Sequence, residues 1–292
     1  MLTTWHRIAY WGNSLLAVPL ADSFDGLLVD LDGVVWIGHE PVPGSAETLA
    51  ALIAAGKQIV FVTNNPGKPP AAYAERLRGM GVEVAEERIV TAGMVAARLA
   101  ARAAGADGGA FVIGAEPLKQ MVAEAIAARN DRQAGKRRGD PPLLEGEAGR
   151  GAAVVVVSGH RGFDYGELLT AKLALDGGAA LVATSHDPTM PMPGGEWPGT
   201  GSILAAVETA SGRSAEIGGK PERHLFEMAL AAIGGAGRVA MVGDRVSSDI
   251  EGGRRAGLET VLVLSGTSGR EEAEAADPPP DHVLDDLAGL LR

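Results

Sequence analysis

Gly26-Leu-Leu-Val-Asp-Leu-Asp-Gly-Val-Val-Trp36 is the stretch of sequence from which the fold and the site are best read. A short apolar run ends in Asp30, Asp32 follows two positions later, and Gly33 comes directly after it. Because residues i and i+2 of an extended chain face the same side, both carboxylates are expected to point into one site. Like charges this close either share a proton or bind a cation. The pair therefore predicts a metal site, a pair of acid and base roles, or both.

Short apolar runs alternate with helical patterns along the rest of the chain. Strands are predicted at Leu27–Asp30, Ile59–Thr63, Val239–Gly243 and Thr260–Leu264. After Ser45, which is predicted as a helix N-cap, apolar residues recur at helical spacing until Gly56, and residues 222–233 repeat the pattern. This alternation predicts an α/β fold, a doubly wound parallel sheet with helices on both faces.

The middle of the chain has strands and helices of its own. Strands are predicted at Phe111–Gly114, Val154–Val157 and Leu181–Thr184, and helices at Glu116–Arg129 and Tyr165–Leu175. These elements either extend the first sheet or form a second α/β unit inserted into the first. The basic stretch at 129–138 is predicted to be a solvated loop, with binding of an anion or nucleic acid as the alternative.

Composition narrows the classes of function. The 292 residues include no cysteine, which excludes disulfides and a cysteine nucleophile and predicts a reducing, cytoplasmic compartment. A formal net charge of −11 argues against a broad nucleic-acid surface. Residues 1–21 resemble a signal peptide only faintly, because Gly12 and Pro19 interrupt the apolar run, and they are predicted to be an N-terminal extension. No membrane span is expected, since no segment reaches the ~18 apolar residues that one needs.

Polar residues follow the predicted strands at the edge where parallel α/β sheets bind ligands. They are Asp30 and Asp32 after the first strand, Thr63, Asn64 and Asn65 after the second, and Asp244 and Asp249 after the third. Lys220 and Pro221 are predicted to open the helix that precedes the third of these strands, and anions are favoured at such a helix N-terminus. Each motif alone has an ordinary explanation as a cap, turn or loop. Together they offer carboxylates for a hard cation, donors for phosphate oxygens and one positive charge.

These motifs resemble those of the haloacid-dehalogenase superfamily of aspartate-nucleophile phosphatases. The similar runs are Asp30-Leu-Asp32-Gly-Val, Val62-Thr63-Asn64-Asn65, Gly219-Lys220-Pro221 and Gly243-Asp244-Arg-Val-Ser-Ser-Asp249, in the family's order. Pro41–Ser45 and Pro198–Ile203 are similar to the subgroup of pyridoxal-phosphate, phosphoglycolate and glycerol-3-phosphate phosphatases. The resemblance implies a Rossmann-like core at 22–92 and 199–292. It also implies a smaller α/β cap of the C2 type at 93–198 and a homodimer through that cap.

The resemblance further implies a Mg2+-dependent phosphomonoester hydrolase that forms an aspartyl-phosphate. Asp30 would be the nucleophile, and Asp32 the general acid and base. Mg2+ would be held by Asp30, the backbone carbonyl of Asp32 and Asp244, and Asp249 would orient Asp244 or a metal-bound water. The phosphate group would be bound by Thr63, Asn64, Asn65 and Lys220.

Substrate choice is expected to come from the cap segment Ser158–Tyr165, in which His160 and Arg161 are the polar candidates. Gly162 falls near a position that carries a substrate-reading side chain in some relatives, which weakens a pyridoxal-phosphate assignment. Aromatic residues make up only 4% of the chain, which argues against stacking on a large ring. The favoured partner is a small phosphorylated metabolite, glycerol 3-phosphate or 2-phosphoglycolate. The alternative enzymes are pyridoxal-phosphate and nucleotide monophosphatases.

A second class of function fits some of the same residues. Bacterial receiver domains also gather aspartates, a threonine and a lysine at parallel strand ends, and they act as phospho-aspartate switches. A phosphate-binding protein without catalysis is a further alternative. The length of the chain, the inserted unit and the presence of Asp32 favour the enzyme.

Overall fold

The computed structural model describes residues 18–105, 108–134, 143–192 and 195–292. The strands are β1 (Gly26–Asp30), β2 (Trp36–Ile37), β3 (Glu40–Pro41), β4 (Gln58–Thr63), β5 (Ile89–Thr91), β6 (Ala110–Ile113), β7 (Val154–Val157), β8 (Ala180–Ala183), β9 (Thr189–Met192), β10 (Gly195–Pro198), β11 (Glu216–Ile217), β12 (Val239–Gly243), β13 (Glu259–Val263) and β14 (His282–Leu284). The α-helices are α1 (Ser45–Ala54), α2 (Pro70–Gly79), α3 (Ala92–Ala104), α4 (Glu116–Ala134), α5 (Tyr165–Asp176), α6 (Thr200–Ser211), α7 (Arg223–Ile233), α8 (Glu251–Arg255) and α9 (Arg270–Ala275). Short 3-10 helices lie at Leu20–Ser23, Glu86–Arg88, Gly146–Gly151 and Leu287–Leu291, and one π turn at Val246–Ile250.

The larger sheet has six strands in the order β14-β13-β12-β1-β4-β5, and every neighbouring pair is parallel. The chain leaves β1 towards β4 and β5 on one side and later returns to β12, β13 and β14 on the other. The strand order therefore reverses at β1. In open parallel sheets the crevice at such a reversal is where ligands bind. The doubly wound parallel sheet predicted from the sequence is confirmed.

Residues of β1 pack alternately on the two faces of this sheet. Leu27 and Val29 belong to an apolar cluster with Leu49 of α1 and Leu77 of α2. Leu28 belongs to the cluster on the other face, which is covered by α3 and α7. A strand covered on both faces has no need of polar residues, which explains its continuous apolar run.

The smaller sheet has four parallel strands in the order β11-β8-β7-β6. One face packs on α5 and α6, through Leu175 and Leu204 among others. The other face packs on α3 and α4, and the apolar cluster that holds Leu28 of the larger sheet also holds Val154 and Val156 of β7. We call this the shared cluster. The smaller, inserted α/β unit is confirmed.

The limits of the inserted unit differ from the numbers expected from the resemblance. The predicted end at 198 would assign α6 and β11 to the core. In the structure β11 pairs with β8, and Leu204 of α6 lies in the apolar cluster of the smaller sheet. We therefore propose that the inserted unit ends near residue 217.

Two predictions of helix starts are wrong. Gly44, at φ 78°, is the N-cap of α1, and the Ser45 hydroxyl donates instead to the Val35 carbonyl at 2.9 Å. Helix α7 begins at Arg223 with Glu222 as its N-cap, so Pro221 is not its first residue. The physical reason in the second case is a tertiary contact to the Lys220 backbone, described below.

The structure describes only part of the predicted N-terminal extension and only part of the basic stretch at 129–138. Residues 1–17 of the predicted extension lie outside the described residues, as do 135–142 of the basic region. Residues 129–134 continue helix α4, which corrects the prediction of a loop there, and Arg129 donates to the Ala101 carbonyl. Within the described ranges, no helix is both long and apolar enough to cross a membrane.

Candidate active site

The predicted polar residues meet where β1, β4 and β12 end. Asp30 is the last residue of β1, Thr63 is the last residue of β4, and Asp244 directly follows β12. These are adjacent strands, with β1 between the other two. The reversal of strand order thus brings three of the four sequence motifs to one edge of the sheet.

Lys220 brings the fourth motif to this edge. Its side chain is buried, and its Nζ lies 2.7 Å from Oδ1 of Asp30 and 2.7 Å from Oδ1 of Asp249. Burial works against the charge of this lysine, but Asp249 and Asp30 outweigh burial and raise the pKa of Lys220 above its ordinary value. Lys220 therefore stays charged and joins the end of β1 to the segment that follows β12.

Asn64 holds the Lys220 backbone in place. The Lys220 N–H donates to Asn64 Oδ1 at 2.7 Å, and Asn64 Nδ2 donates to the Lys220 carbonyl at 3.0 Å. This pair of hydrogen bonds keeps Lys220 outside helix α7. It also commits the Asn64 side chain, so phosphate binding at this turn would use the Thr63 hydroxyl and backbone N–H groups.

Asp244 is fixed by the loop that follows β13. Its Oδ2 accepts the Thr267 N–H at 2.7 Å, and its carbonyl accepts the Ser268 N–H at 2.9 Å. A Cβ atom at Gly33 or at Gly266 would lie 2.3 or 2.1 Å from that same Oδ2. Both positions therefore require glycine, and Gly33 also has a φ of +88°. With Oδ2 enclosed in this way, Oδ1 of Asp244 is the oxygen left for a ligand.

Asp249 uses both of its carboxylate oxygens within the protein. Oδ1 faces Lys220, and Oδ2 accepts the Arg245 N–H at 3.0 Å. Burial raises the pKa of Asp249, Lys220 opposes that rise, and Asp244 adds to it. These contacts suit the predicted role of Asp249 in orienting its neighbours, and that role stays a prediction.

The carboxylates at this edge fit a divalent cation. Asp30, Asp244 and Asp249 are buried, and each brings one carboxylate oxygen within 4.8 Å of the others. Burial raises the pKa of Asp30 well above its ordinary value; Lys220 opposes this, and Asp249 and Asp244 reinforce it. With Lys220 the ionised cluster has a formal charge of −2. A buried excess of negative charge needs compensation, and a set of oxygen ligands suits a hard cation such as Mg2+.

Asp32 has different neighbours from Asp30. Its Oδ1 accepts the Trp36 indole N–H at 3.0 Å, and its Oδ2 lies 3.5 Å from the Thr63 hydroxyl. Its carboxylate is not a member of the cluster formed by Asp30, Asp244 and Asp249. The two acids therefore have different partners: Asp30 contacts the Lys220 ammonium, and Asp32 contacts the Trp36 indole N–H and the Thr63 hydroxyl.

Asn65 is occupied by local contacts. Its Oδ1 accepts the Gly67 N–H at 2.9 Å, its carbonyl accepts the Tyr73 hydroxyl at 3.1 Å, and its N–H donates to Thr63 Oγ1 at 3.0 Å. The side chain thus shapes the turn after β4. Direct binding of phosphate by Asn65 stays a prediction.

Sequence reasoning missed two loops that reach the site. Asp187, which lies beyond β8, accepts Asn64 Nδ2 at 3.0 Å and lies 3.6 Å from an Arg245 guanidinium nitrogen. The segment from Gly266 to Ser268, which holds Asp244, lies beyond β13. Both are short polar runs that come after a predicted strand, so the rule that located Asp30 and Thr63 could have found them.

The specificity candidates in the inserted unit have partners within that unit. The His160 ring lies 2.9 Å from Glu167 through Nε2 and accepts the Gly162 N–H through Nδ1 at 3.3 Å. The Arg161 guanidinium lies 4.4 Å from the centre of the Trp197 ring. Their role in choosing a substrate stays a prediction.

Replacing Gly266 by Ala is expected to weaken binding of Mg2+ by about 10- to 100-fold, the range typical for residues that support metal ligands. The new Cβ would displace Asp244 Oδ2, from which it would lie only 2.1 Å away. Isothermal titration calorimetry with Mg2+ measures the change. Gly269→Ala is the matched control, because a Cβ at Gly269 meets no atom within 4 Å. Equal affinities for the two variants would show that Asp244 does not bind the cation.

Comparison with known proteins gives consistent matches along most of the chain. Residues 27–126 match the family model "Haloacid dehalogenase-like hydrolase", and residues 217–290 match a second model described as HAD-hydrolase-like. Human chronophin is 39% identical over 280 residues, which cover 91% of each protein. Human glycerol-3-phosphate phosphatase is 36% identical over 298 residues and covers 94% of this chain and 92% of its own.

Solved structures of phosphatases also superpose on most of this chain. A glycerol phosphate phosphatase from Mycobacterium tuberculosis in complex with magnesium superposes with a TM-score of 0.81 at 32% identity, over 94% of this chain and 78% of the other. A p-nitrophenyl phosphatase from Archaeoglobus fulgidus has a TM-score of 0.79 at 30% identity, over 92% of this chain and 98% of the other.

Proposed function

The chain belongs to the haloacid dehalogenase-like hydrolases and is a phosphatase, and we propose that it hydrolyses a small phosphomonoester with the help of Mg2+. One observation carries the proposal. The buried Lys220 ammonium lies 2.7 Å from Oδ1 of Asp30, within a cluster of three carboxylates at the reversal of the sheet. Together, the lysine and the three carboxylates can supply a nucleophile, a positive charge that offsets negative charge, and oxygen ligands for a metal.

The favoured substrates are glycerol 3-phosphate and 2-phosphoglycolate. A glycerol-3-phosphate phosphatase is among the similar sequences, and a glycerol phosphate phosphatase is among the similar structures. The low aromatic content supports a small, polar substrate over one with a large ring. Arg161 and His160 supply polar side chains to the inserted unit, whose loop at Asp187 contacts the core site.

The cation would be held by Asp30 and Asp244 with the backbone carbonyl of Asp32. When bound, it would favour the ionised form of Asp30 and offset charge on the phosphate. Asp30 would then attack phosphorus and form an aspartyl-phosphate, with the substrate oxygen as the leaving group. Lys220 would neutralise charge at Asp30, and the Thr63 hydroxyl would donate to a phosphoryl oxygen.

Asp32 would act twice in this cycle. It would first donate a proton to the leaving alkoxide, which departs as the alcohol. Its carboxylate would then take a proton from the water that attacks the aspartyl-phosphate, which releases inorganic phosphate and regenerates Asp30. The separate surroundings of the two acids suit this division, since Asp32 lies beside neutral donors.

A panel of phosphorylated metabolites, assayed for released phosphate with Mg2+ and again with excess chelator, tests the proposal. We expect repeated turnover that is highest for one of the small substrates and is abolished by the chelator. A protein that takes up a single phosphoryl group and stops would instead be a phospho-aspartate switch. Binding of phosphate without transfer would identify a binding protein.

Replacing Asp32 by Asn is expected to lower the rate on glycerol 3-phosphate by about 100- to 10,000-fold, the usual contribution of a general acid and base. With 4-nitrophenyl phosphate the first step should survive, because 4-nitrophenolate leaves without protonation. Rapid mixing should therefore show a burst of about one 4-nitrophenolate per site, followed by slow hydrolysis. Equal losses on both substrates, without a burst, would contradict the assignment of Asp32.

A further inference from the structure

Trp36 makes the shortest described hydrogen bond to the Asp32 side chain. The indole N–H donates to Oδ1 of Asp32 at 3.0 Å, and the ring is fully buried. The backbone between them is closed as well, since the Gly33 N–H donates to the Trp36 carbonyl at 2.7 Å. Asp32 and Trp36 are four positions apart, and the chain between the end of β1 and the start of β2 turns so that their side chains meet.

The chemistry of an indole makes the contact directional. Its nitrogen can only donate a hydrogen bond, so Oδ1 of Asp32 must accept. When Asp32 is protonated, this contact favours its own proton on Oδ2, because the carbonyl oxygen of a carboxylic acid accepts a hydrogen bond better than the hydroxyl oxygen does. Oδ2 is the oxygen that faces the Thr63 hydroxyl, at 3.5 Å.

The ring of Trp36 is held in place by α2. The guanidinium of Arg76 lies 3.8 Å from the centre of the indole and donates to the Gly38 carbonyl at 2.8 Å. The Tyr73 ring is parallel to the indole, with an interplanar angle of 3° and centres 6.4 Å apart. The Tyr73 hydroxyl is in turn bonded to the Asn65 carbonyl. The donor is thus rigid, which is the condition for it to set the direction of a neighbouring carboxylate.

We propose that Trp36 is a positioning residue for the proton transfer. Its N–H occupies Oδ1 of Asp32 and so directs the proton on Oδ2 towards the oxygen of the leaving group. This inference rests on the proposed function, because it needs Asp32 to act as the acid. It adds a residue to the reaction that touches neither the substrate nor the metal.

The test is a comparison of leaving groups with Trp36→Phe, which keeps an aromatic ring but removes the donor together with part of the volume of the indole. Glycerol 3-phosphate has a poor leaving group that needs the proton, and 4-nitrophenyl phosphate has a good one that does not. We expect kcat/KM for glycerol 3-phosphate, divided by kcat/KM for 4-nitrophenyl phosphate, to fall by about 10-fold or more, as for loss of a hydrogen bond to a charged group. The quantity kcat/KM reports the step in which the leaving group departs and excludes the hydrolysis of the aspartyl-phosphate, in which Asp32 serves both substrates. Adding Trp36→Phe to Asp32→Asn should lower that ratio no further.

A matched control separates positioning from packing. Leu77 is fully buried in the same apolar cluster as Trp36, and Leu77→Ala should lower the stability while leaving the ratio of rates unchanged. An unchanged ratio in Trp36→Phe, or a loss on both substrates to the same extent, would overturn the proposal. Failure of the wild-type protein to turn over either substrate would instead overturn the proposed function.

A second replacement covers the case in which Trp36→Phe does not fold. Site-specific incorporation of 3-benzothienyl-alanine at position 36 keeps the shape of the indole and replaces the N–H by sulfur. The same fall in the ratio of rates is expected. Retention of the wild-type ratio with this residue would also overturn the proposal.

Discussion

Asp30→Asn is expected to reduce turnover by about 10,000-fold or more, as in other enzymes that lose their nucleophile. The carboxamide has almost the shape of the carboxylate but cannot attack phosphorus as an anion. Rates of phosphate release from glycerol 3-phosphate and 4-nitrophenyl phosphate, each at saturating Mg2+, provide the measurement. Unlike Asp32→Asn, this variant should show no burst of 4-nitrophenolate.

The same variant should also fail to become labelled. Rapid acid quenching of the wild-type enzyme during turnover should trap phosphate on the protein, and Asp30→Asn should trap none. Asp285→Asn, a change of the same kind at an exposed residue, should label and turn over normally. Near-normal hydrolysis by Asp30→Asn in protein fully supplied with Mg2+ would remove Asp30 from the role of nucleophile.

Lys220→Met is expected to abolish activity and also to destabilise the metal-free protein by about 3–5 kcal/mol. Methionine has a similar length, so packing changes little, but Asp30 and Asp249 lose the cation that each contacts at 2.7 Å. Urea denaturation in excess chelator measures the free energy of unfolding. Lys172→Met, which removes the exposed ion pair between Lys172 and Asp176, should cost less than about 1 kcal/mol.

Mg2+ should stabilise the Lys220→Met variant more than it stabilises the wild-type protein. Without the lysine, the carboxylate cluster has a larger excess of negative charge, and a divalent cation compensates more of it. The rise in Tm on addition of Mg2+ should therefore be larger in the variant. A Lys220→Met protein as stable as the wild type in chelator would show that the cluster protonates at no measurable cost.

The central strands of the larger sheet could be predicted because a strand that is buried on both faces is a continuous apolar run in the sequence. The runs that end at Asp30, Thr63 and Gly243 are apolar throughout, and the structure has strands at all of them. Strands β5 and β14 were not predicted. Each has only three residues, too few to show a pattern.

Contacts between distant segments could not be predicted from local patterns. The amide of Asn64 binds the backbone of Lys220, 156 positions away, and this contact overrides the preference of Pro221 for the first turn of a helix. Gly266 is required only because Asp244 packs against it. The aspartates and Lys220 could be predicted from their residue types and from their positions near predicted strand ends. Which carboxylate oxygen of each aspartate is left for a ligand depends on contacts that only the folded chain shows.

The shared cluster has a consequence for how the protein unfolds. Leu28 of the larger sheet and Val154 and Val156 of the smaller sheet belong to one continuous apolar core, with α3 packed against both sheets. Neither sheet can lose its structure without exposing apolar surface of the other. We therefore expect a single cooperative transition in calorimetry, despite the insertion. A chain from which residues 92–217 are deleted should be unable to fold and should aggregate, because the deletion removes α3, which covers part of one face of the larger sheet.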